Sequence, residues 1–193
     1  MQFILNTSFD PHFCALFDEK DQLVAFHFWE NRRKDAFEIW SFLKIYDHSN
    51  LDFIGGVTGP GGFSSLRAGG VILNALAFSK NLLVHGIRAD IIIEAFLIQQ
   101  GKDCDFLLNS FGKFVFCRKG NGKLERVETE KAVEKFEQEV LFLGLLPLEK
   151  QAAFKQKQEV SLNGIEKVCL EVLQKAEPQK SFLPDYEFPA VGG

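Results

Sequence analysis

The stretch from Val57 to Asn74, VTGPGGFSSLRAGGVILN, constrains the fold more than any other part of the chain. Before it, Phe53–Thr58 reads as a buried strand. Gly59-Pro60-Gly61-Gly62 breaks that strand, and Ser64 or Ser65 is placed to cap a helix running to about Phe78. Gly and Pro at four successive positions turn the chain sharply and let its backbone approach a neighbour or a ligand closely. With Ser64 as the cap, Arg67 falls in the first helical turn. A cation there opposes the helix dipole by about 0.3–1 kcal/mol, so Arg67 either meets an acidic or phosphate partner or reaches into solvent. Ala68, Gly69, Gly70, Ala75 and Ala77 keep much of the helix surface small, although each Gly costs about 1 kcal/mol relative to Ala. Small residues admit another element at close range, either the chain's own sheet or a second molecule. Taken bare, GPGG before a helix is a weak phosphate signal. It lacks the Lys and Ser/Thr of a P-loop and the spacing of a dinucleotide site.

Three strands are expected before this unit, at Gln2–Asn6, Phe13–Phe17 and Leu23–Trp29. Their joints, Phe9-Asp10-Pro11 and Asp18-Glu19-Lys20-Asp21, are short and carry turn residues, so the three pair antiparallel. Between Arg33 and Tyr46 the periodicity is helical. Ala36, Phe37, Ile39, Trp40 and Leu43 form the stripe expected to face the core. Phe42, Ile45 and Tyr46 widen the apolar surface, so this helix is either sandwiched inside the fold or touches a second molecule. A strand at Leu82–Ile87, a helix at Ala89–Gln100 and a strand at Asp105–Asn109 extend the alternation, which implies parallel pairing with crossover helices.

The pattern restarts after Gly101-Lys102-Asp103. Phe114–Arg118 and Leu124–Glu128 read as a hairpin. Thr129 is placed to cap a helix with Ala132, Val133, Phe136 and Val140 on one side. Asn163 and Glu166 fit a capping box ahead of a stripe at Ile165, Val168, Cys169 and Val172, which Pro178 is expected to end. The tail from Ser181 is expected to be extended or frayed. A length of 193 residues suits two small lobes, placed here at 1–100 and 101–193.

Several function classes are disfavoured by composition. The net charge is -4, and Arg32-Arg33-Lys34 is the only compact basic run, which reads as a solvated helix start. Broad attraction to nucleic acid needs more than this. The four cysteines form no CxxC pair and no Cys–His zinc spacing, so neither a metal nor a cofactor is expected. No signal peptide is visible. The greasiest run, Val140 to Leu148, is too short to span a bilayer, so a cytoplasmic location is expected.

GPGGFSSLRAGG resembles the GPGSFTGLRIG signature of the TsaB (YeaZ) family, bacterial proteins needed to make threonylcarbamoyladenosine in transfer RNA. The matching positions are Gly59, Pro60, Gly61, Phe63, Leu66, Arg67 and Gly69. Leu5-Asn6-Thr7-Ser8 sits where that family has a strand ending in Asp-Thr. Leu108-Asn109-Ser110 through Phe116 lies where it has Asp-Ala-Arg and then Glu-Val-Tyr. Phe182–Phe188, with Pro184 and Tyr186, resembles its closing Pro-x-Tyr segment.

This resemblance implies an α/β actin-like ATPase (ribonuclease H-like) fold of two small lobes, each with a mixed sheet and helices. It further implies a non-catalytic scaffold subunit of the transfer RNA modification complex. That subunit would pair with a TsaD-like catalytic subunit through its first two long helices, a TsaE-like ATPase would join, and transfer RNA would be met only through the complex. Phe37, Trp40, Ser41, Ala68, Ile72 and Ala75 are the candidate contacts. Three departures bear on catalysis: Asn6 and Asn109 replace acids, and Phe111 stands where an Arg is expected. In active relatives an acid on the first strand helps position magnesium, which prefers anionic oxygen. Loss of catalysis is therefore expected. Two alternatives stay open. One is an active small-molecule phosphotransferase or ATPase using Gly59–Gly62, Asn6-Thr7-Ser8 and one of Asp10, Asp52 or Asp90. The other is a self-associating scaffold that forms a homodimer through the same helices.

Overall fold

Glycines at 55 and 56 show how the first sheet is built. A Cβ on Gly55 would lie 2.9 Å from Cδ1 of Leu173, whereas one on Gly56 would press into Leu73 and Phe182. Neighbouring residues of a strand point to opposite faces, so this strand is covered on both sides. The computed structural model describes residues 1–30, 32–102, 104–136 and 140–186. Contacts divide it into two units, Met1–Ile92 with the stretch from Gly164 onward, and Ile93–Asn163. This differs from a division at residue 100, because the C-terminal stretch rejoins the first sheet.

In the first unit, β1 (Gln2–Asn6), β2 (His12–Phe17) and β3 (Leu23–Trp29) form an antiparallel trio. A 3-10 turn at Arg32–Lys34 leads into α1 (Asp35–Ile45). Next, β4 (Phe53–Gly59) pairs parallel with β1, α2 (Phe63–Lys80) crosses over, and β5 (Val84–Arg88) pairs parallel with β4. From β5 the chain enters α3 (Ala89–Gln99), which carries it into the second unit. On one face α1 and α2 cover Phe3, Leu5, Cys14, Leu16, Ala25, Trp29 and Ile54. On the other, α6 (Ile165–Leu173) packs against β1, β4 and β5. A short strand, β11 (Pro178–Gln179), pairs antiparallel with β5 and completes the order β11-β5-β4-β1-β2-β3.

The second unit repeats this plan. It contains β6 (Phe106–Asn109), β7 (Phe114–Arg118), β8 (Glu125–Glu128), α4 (Thr129–Lys135), β9 (Val140–Leu143), α5 (Leu148–Ala152) and β10 (Lys157–Val160). The sheet order is β10-β9-β6-β7-β8, again three antiparallel strands followed by parallel neighbours. Its core gathers Leu107, Val115, Cys117, Ala132, Phe136, Val140 and Phe142. No helix among the described residues is long and apolar enough to cross a membrane.

Local expectations are corrected at several points. α1 buries Asp35, Ile39, Phe42 and Leu43, while Ala36, Phe37 and Trp40 of the expected core stripe face outward. The physical reason is the inward anchoring of Asp35, described below, which sets the roll of the helix. Gly62, not a serine, occupies the N-cap of α2, so Arg67 falls in the second turn, beyond the strongest part of the helix dipole. Glu128 is the N-cap of α4, and the Thr129 hydroxyl instead donates to the Lys113 carbonyl at 2.8 Å. Gly164, with φ of 85°, starts α6 in place of the expected Asn163 box. Val140 opens a strand instead of closing the α4 stripe. α6 ends at Leu173, before Pro178, which joins β11. The tail is not frayed over its described part: Phe182 is buried in the first core. The Phe188 end of the resemblance lies outside the described residues.

Candidate partner-binding face

The two turns that a phosphate would have to enter are packed against each other. Asn6 is fully buried at the end of β1. Its Oδ1 accepts the Ser8 N–H at 3.0 Å and the Phe9 N–H at 3.4 Å, and its Nδ2 donates to the carbonyls of Phe9 at 2.8 Å and Pro11 at 3.1 Å. The amide is thus committed to its own turn, as Asx side chains often are. The Ser8 hydroxyl donates to the Pro60 carbonyl at 2.7 Å. A Cβ on Gly61 would stand 2.5 Å from the Ser8 carbonyl oxygen, and one on Gly69 would stand 2.5 Å from Thr7 Oγ1.

The signature residues therefore weld β1, β4 and α2 together. Gly59 has φ of 140°, in the region that favours glycine, and lies against the Asp185 backbone. Leu66 is core, Phe63 is half exposed with its ring 5.0 Å from that of Tyr186, and Arg67 is exposed. The C-terminal stretch straps this corner down. Asn74 exchanges hydrogen bonds with the Phe182 backbone, Asp185 N–H donates to Thr58 O at 2.7 Å, and Arg88 pairs with Asp185. Of the acids weighed for catalysis, Asp52 binds the Met1 amine at 3.1 Å and Asp90 binds Arg88 at 3.0 Å. Asp10 is buried with a carboxylate oxygen 3.8 Å from His12 Nε2.

Two polar clusters were not expected from the sequence. In the first unit, the His12 imidazole Nδ1 lies 2.7 Å from Asp35 Oδ1, and Trp29 Nε1 donates to the same oxygen at 2.7 Å. Burial alone would push the Asp35 carboxyl up, but the hydrogen bond and charge of His12, with help from Ser65 and Trp29, outweigh it and hold it below the ordinary value. In the second unit, buried Lys150 donates to Asn109 Oδ1 at 2.9 Å and to the carbonyls of Ser110 and Phe114 at 2.6 and 2.8 Å. Asn109 thus holds a lysine, while Phe111 is exposed. The pairs that define them, His12 with Asp35 and Lys150 with Asn109, lie 23 and 41 positions apart with no motif spacing, so nothing local in the sequence marks them.

Outside the core, α1 and α2 present an apolar face. Residues three or four apart share one side of a helix. On α2 this places Arg67, Val71, Ala75 and Phe78 outward, with Val71 62% and Phe78 91% exposed. On α1 it places Phe37 and Trp40 outward, 65% and 57% exposed. Beside Trp40, a cavity of about 410 Å³ is lined by Trp40, Leu43, Lys44, Ile45, Tyr46, Asp47 and His48.

Of the six candidate contacts, Phe37, Trp40 and Ala75 are exposed, whereas Ser41 and Ala68 are half-buried. Ile72 packs against the chain's own core, on the flank of α2 shared with Leu76. Val71 and Phe78 escape the sequence reading, which follows the small residues of α2, whereas Ile45, 74% exposed, is one of the residues that widen the apolar surface of α1. The signal available is the i, i+4, i+7 spacing of Val71, Ala75 and Phe78 opposite Leu66, Leu73 and Ala77. A second apolar strip, Val24, Phe26 and Phe28, lies exposed on edge strand β3.

No family model matches the chain, and no curated protein matches it in sequence. Solved structures do. One is a Pseudomonas aeruginosa protein described as uncharacterised and similar to the peptidase YeaZ, at 15% identity, with 96% of this chain and 99% of that one covered and a TM-score of 0.67. Another is YeaZ from Pseudomonas aeruginosa, at 14% identity, covering 96% and 100%, with the same TM-score. Similarity at this level carries the fold. The chain has a YeaZ-like, actin-like (ribonuclease H-like) α/β architecture with a mixed sheet in each unit.

Proposed function

We propose that this chain is a non-catalytic, partner-binding subunit of the complex that makes threonylcarbamoyladenosine in transfer RNA. It pairs through α1 and α2 with a TsaD-like catalytic subunit, a TsaE-like ATPase joins the assembly, and transfer RNA is engaged by the complex. The observation that carries this reading is the exposure of Phe37, Trp40, Val71, Ala75 and Phe78 on two adjacent helices of a YeaZ-like fold. Apolar side chains exposed in such a group mark interaction surfaces.

The absence of catalysis in this proposal is supported by side-chain commitments. Asn6, on the strand where active relatives carry a metal-positioning acid, spends its amide on its own turn, and Asn109, in place of the second acid, receives a lysine. Neutral amides attract magnesium less than carboxylates do.

Co-expression of the tagged chain with the TsaD-like protein of the same cell tests the proposal. Co-purification is expected for the wild type and is expected to be lost in Ala75→Arg and Val71→Arg, whose exposed sites leave the fold intact by circular dichroism. Undiminished co-purification in both variants would sink the reading.

A further inference from the structure

The outward faces of α1 and α2 differ in charge from the rest of the molecule. The chain as a whole has 26 acidic and 22 basic side chains. Within the two helices the acids are Asp35 and Glu38, and both are withdrawn. Asp35 is buried against His12 and Trp29, and Glu38 meets His27 at 3.0 Å. Just past α1, Asp47 accepts the Ser49 N–H at 2.8 Å. Lys34, Lys44 and Arg67 are exposed and make no ion pair among the described residues. Lys44 Nζ stands 5.7 Å from the centre of the Trp40 ring. The result is a face with apolar residues at its centre and cations at its edge.

We propose that this face accepts a protein surface consisting of an apolar ridge flanked by carboxylates, and that its charge disfavours a second copy of the same face. The proposal rests on the reading of α1 and α2 as the partner site and adds the chemistry of the partner. A two-fold pair places the same patch on both sides of the interface. The cation-edged face of one copy would then lie against the cation-edged face of the other, with Asp47 the one exposed acid beside Lys44, and like charges set against each other oppose docking. A carboxylate-edged partner supplies the missing counter-charges and is drawn in at long range. Nucleic acid would also supply anions. However, three cations are few for a phosphate track, although Phe37, Trp40 and Phe78 offer exposed rings. The observations favour a protein.

Salt dependence of opposite sign separates the two kinds of association. Sedimentation equilibrium of the lone chain should show a monomer at 50 mM NaCl, with any self-association strengthening at 500 mM as repulsion is screened. This arm needs no partner and stands even if the TsaD-like protein fails to bind. A tight homodimer at 50 mM that is unchanged or weakened by salt would overturn the proposal. With the TsaD-like protein, calorimetry should show affinity falling with salt. The double variant K44E/R67E should bind at least about tenfold more weakly at 50 mM, with the gap narrowing at 500 mM. Equal affinity of wild type and K44E/R67E, in a partner that Ala75→Arg still abolishes, would overturn the charge assignment while leaving the site in place. Saturable binding of transfer RNA to the lone chain, lost in K44E/R67E, would overturn it in favour of nucleic acid.

Discussion

Asn6 illustrates how a single side chain separates two histories for this corner of the fold. Its Nδ2 donates to two carbonyls and its Oδ1 accepts two N–H groups, all within its own turn. A carboxylate of the same shape keeps the acceptor half and loses the donor half. It would also face the Phe9 and Pro11 carbonyls, with Asp10 buried close by in sequence. Asn6→Asp is therefore expected to destabilise the protein by about 2 kcal/mol or more, since buried polar mismatches cost at least that when charge is involved. Urea denaturation reads the loss. The same variant is expected to gain no binding of magnesium-ATP by calorimetry. A variant of unchanged stability that acquires such binding would mean that Asn6 is a lapsed metal ligand instead of a turn cap.

Among the elements, the C-terminal stretch departs furthest from its expected role. Its sequence reads as an extended or frayed end because it holds Pro184, Pro189 and two glycines. What holds it is long-range: Asn74 and Thr58 hydrogen-bond its backbone, and Phe182 fills space left by Gly56 and Gly70. Phe182→Ala should cost about 3–5 kcal/mol, the usual loss for a buried Phe, measured by urea denaturation. A loss under about 1 kcal/mol would show that the strap is dispensable.

The same contrast explains what was legible. The strands and long helices carry their period in sequence, and so does the Gly59–Gly69 corner. The roll of α1 does not, because it depends on Asp35 finding His12 and Trp29 across the sheet edge. Likewise β10, with Lys157, Gln158 and Glu159 exposed and only Val160 buried, has no alternation to recognise. The helix starts at Gly62 and Gly164 are masked in sequence by the serines and asparagine nearby, which offer stronger local capping signals.

For the whole molecule, the two units share one strand plan, yet their polar interiors differ. The first holds Asp35 beneath the N-terminal end of α1, and the second holds Lys150 against Asn109. Two apolar surfaces compete as docking sites: the outward face of α1 and α2, and the β3 strip of Val24, Phe26 and Phe28. The first is a two-helix face edged by cations, whereas the second is a single strand that contains no Lys, Arg, Asp or Glu. Hydrogen–deuterium exchange of the chain alone and mixed with the TsaD-like protein distinguishes them in one measurement. Protection on binding is expected in peptides spanning Asp35–Ile45 and Phe63–Lys80, with β3 unchanged. Protection confined to Leu23–Trp29 or to the second unit, with both helices exchanging as before, would contradict the assignment of α1 and α2 as the partner-binding face.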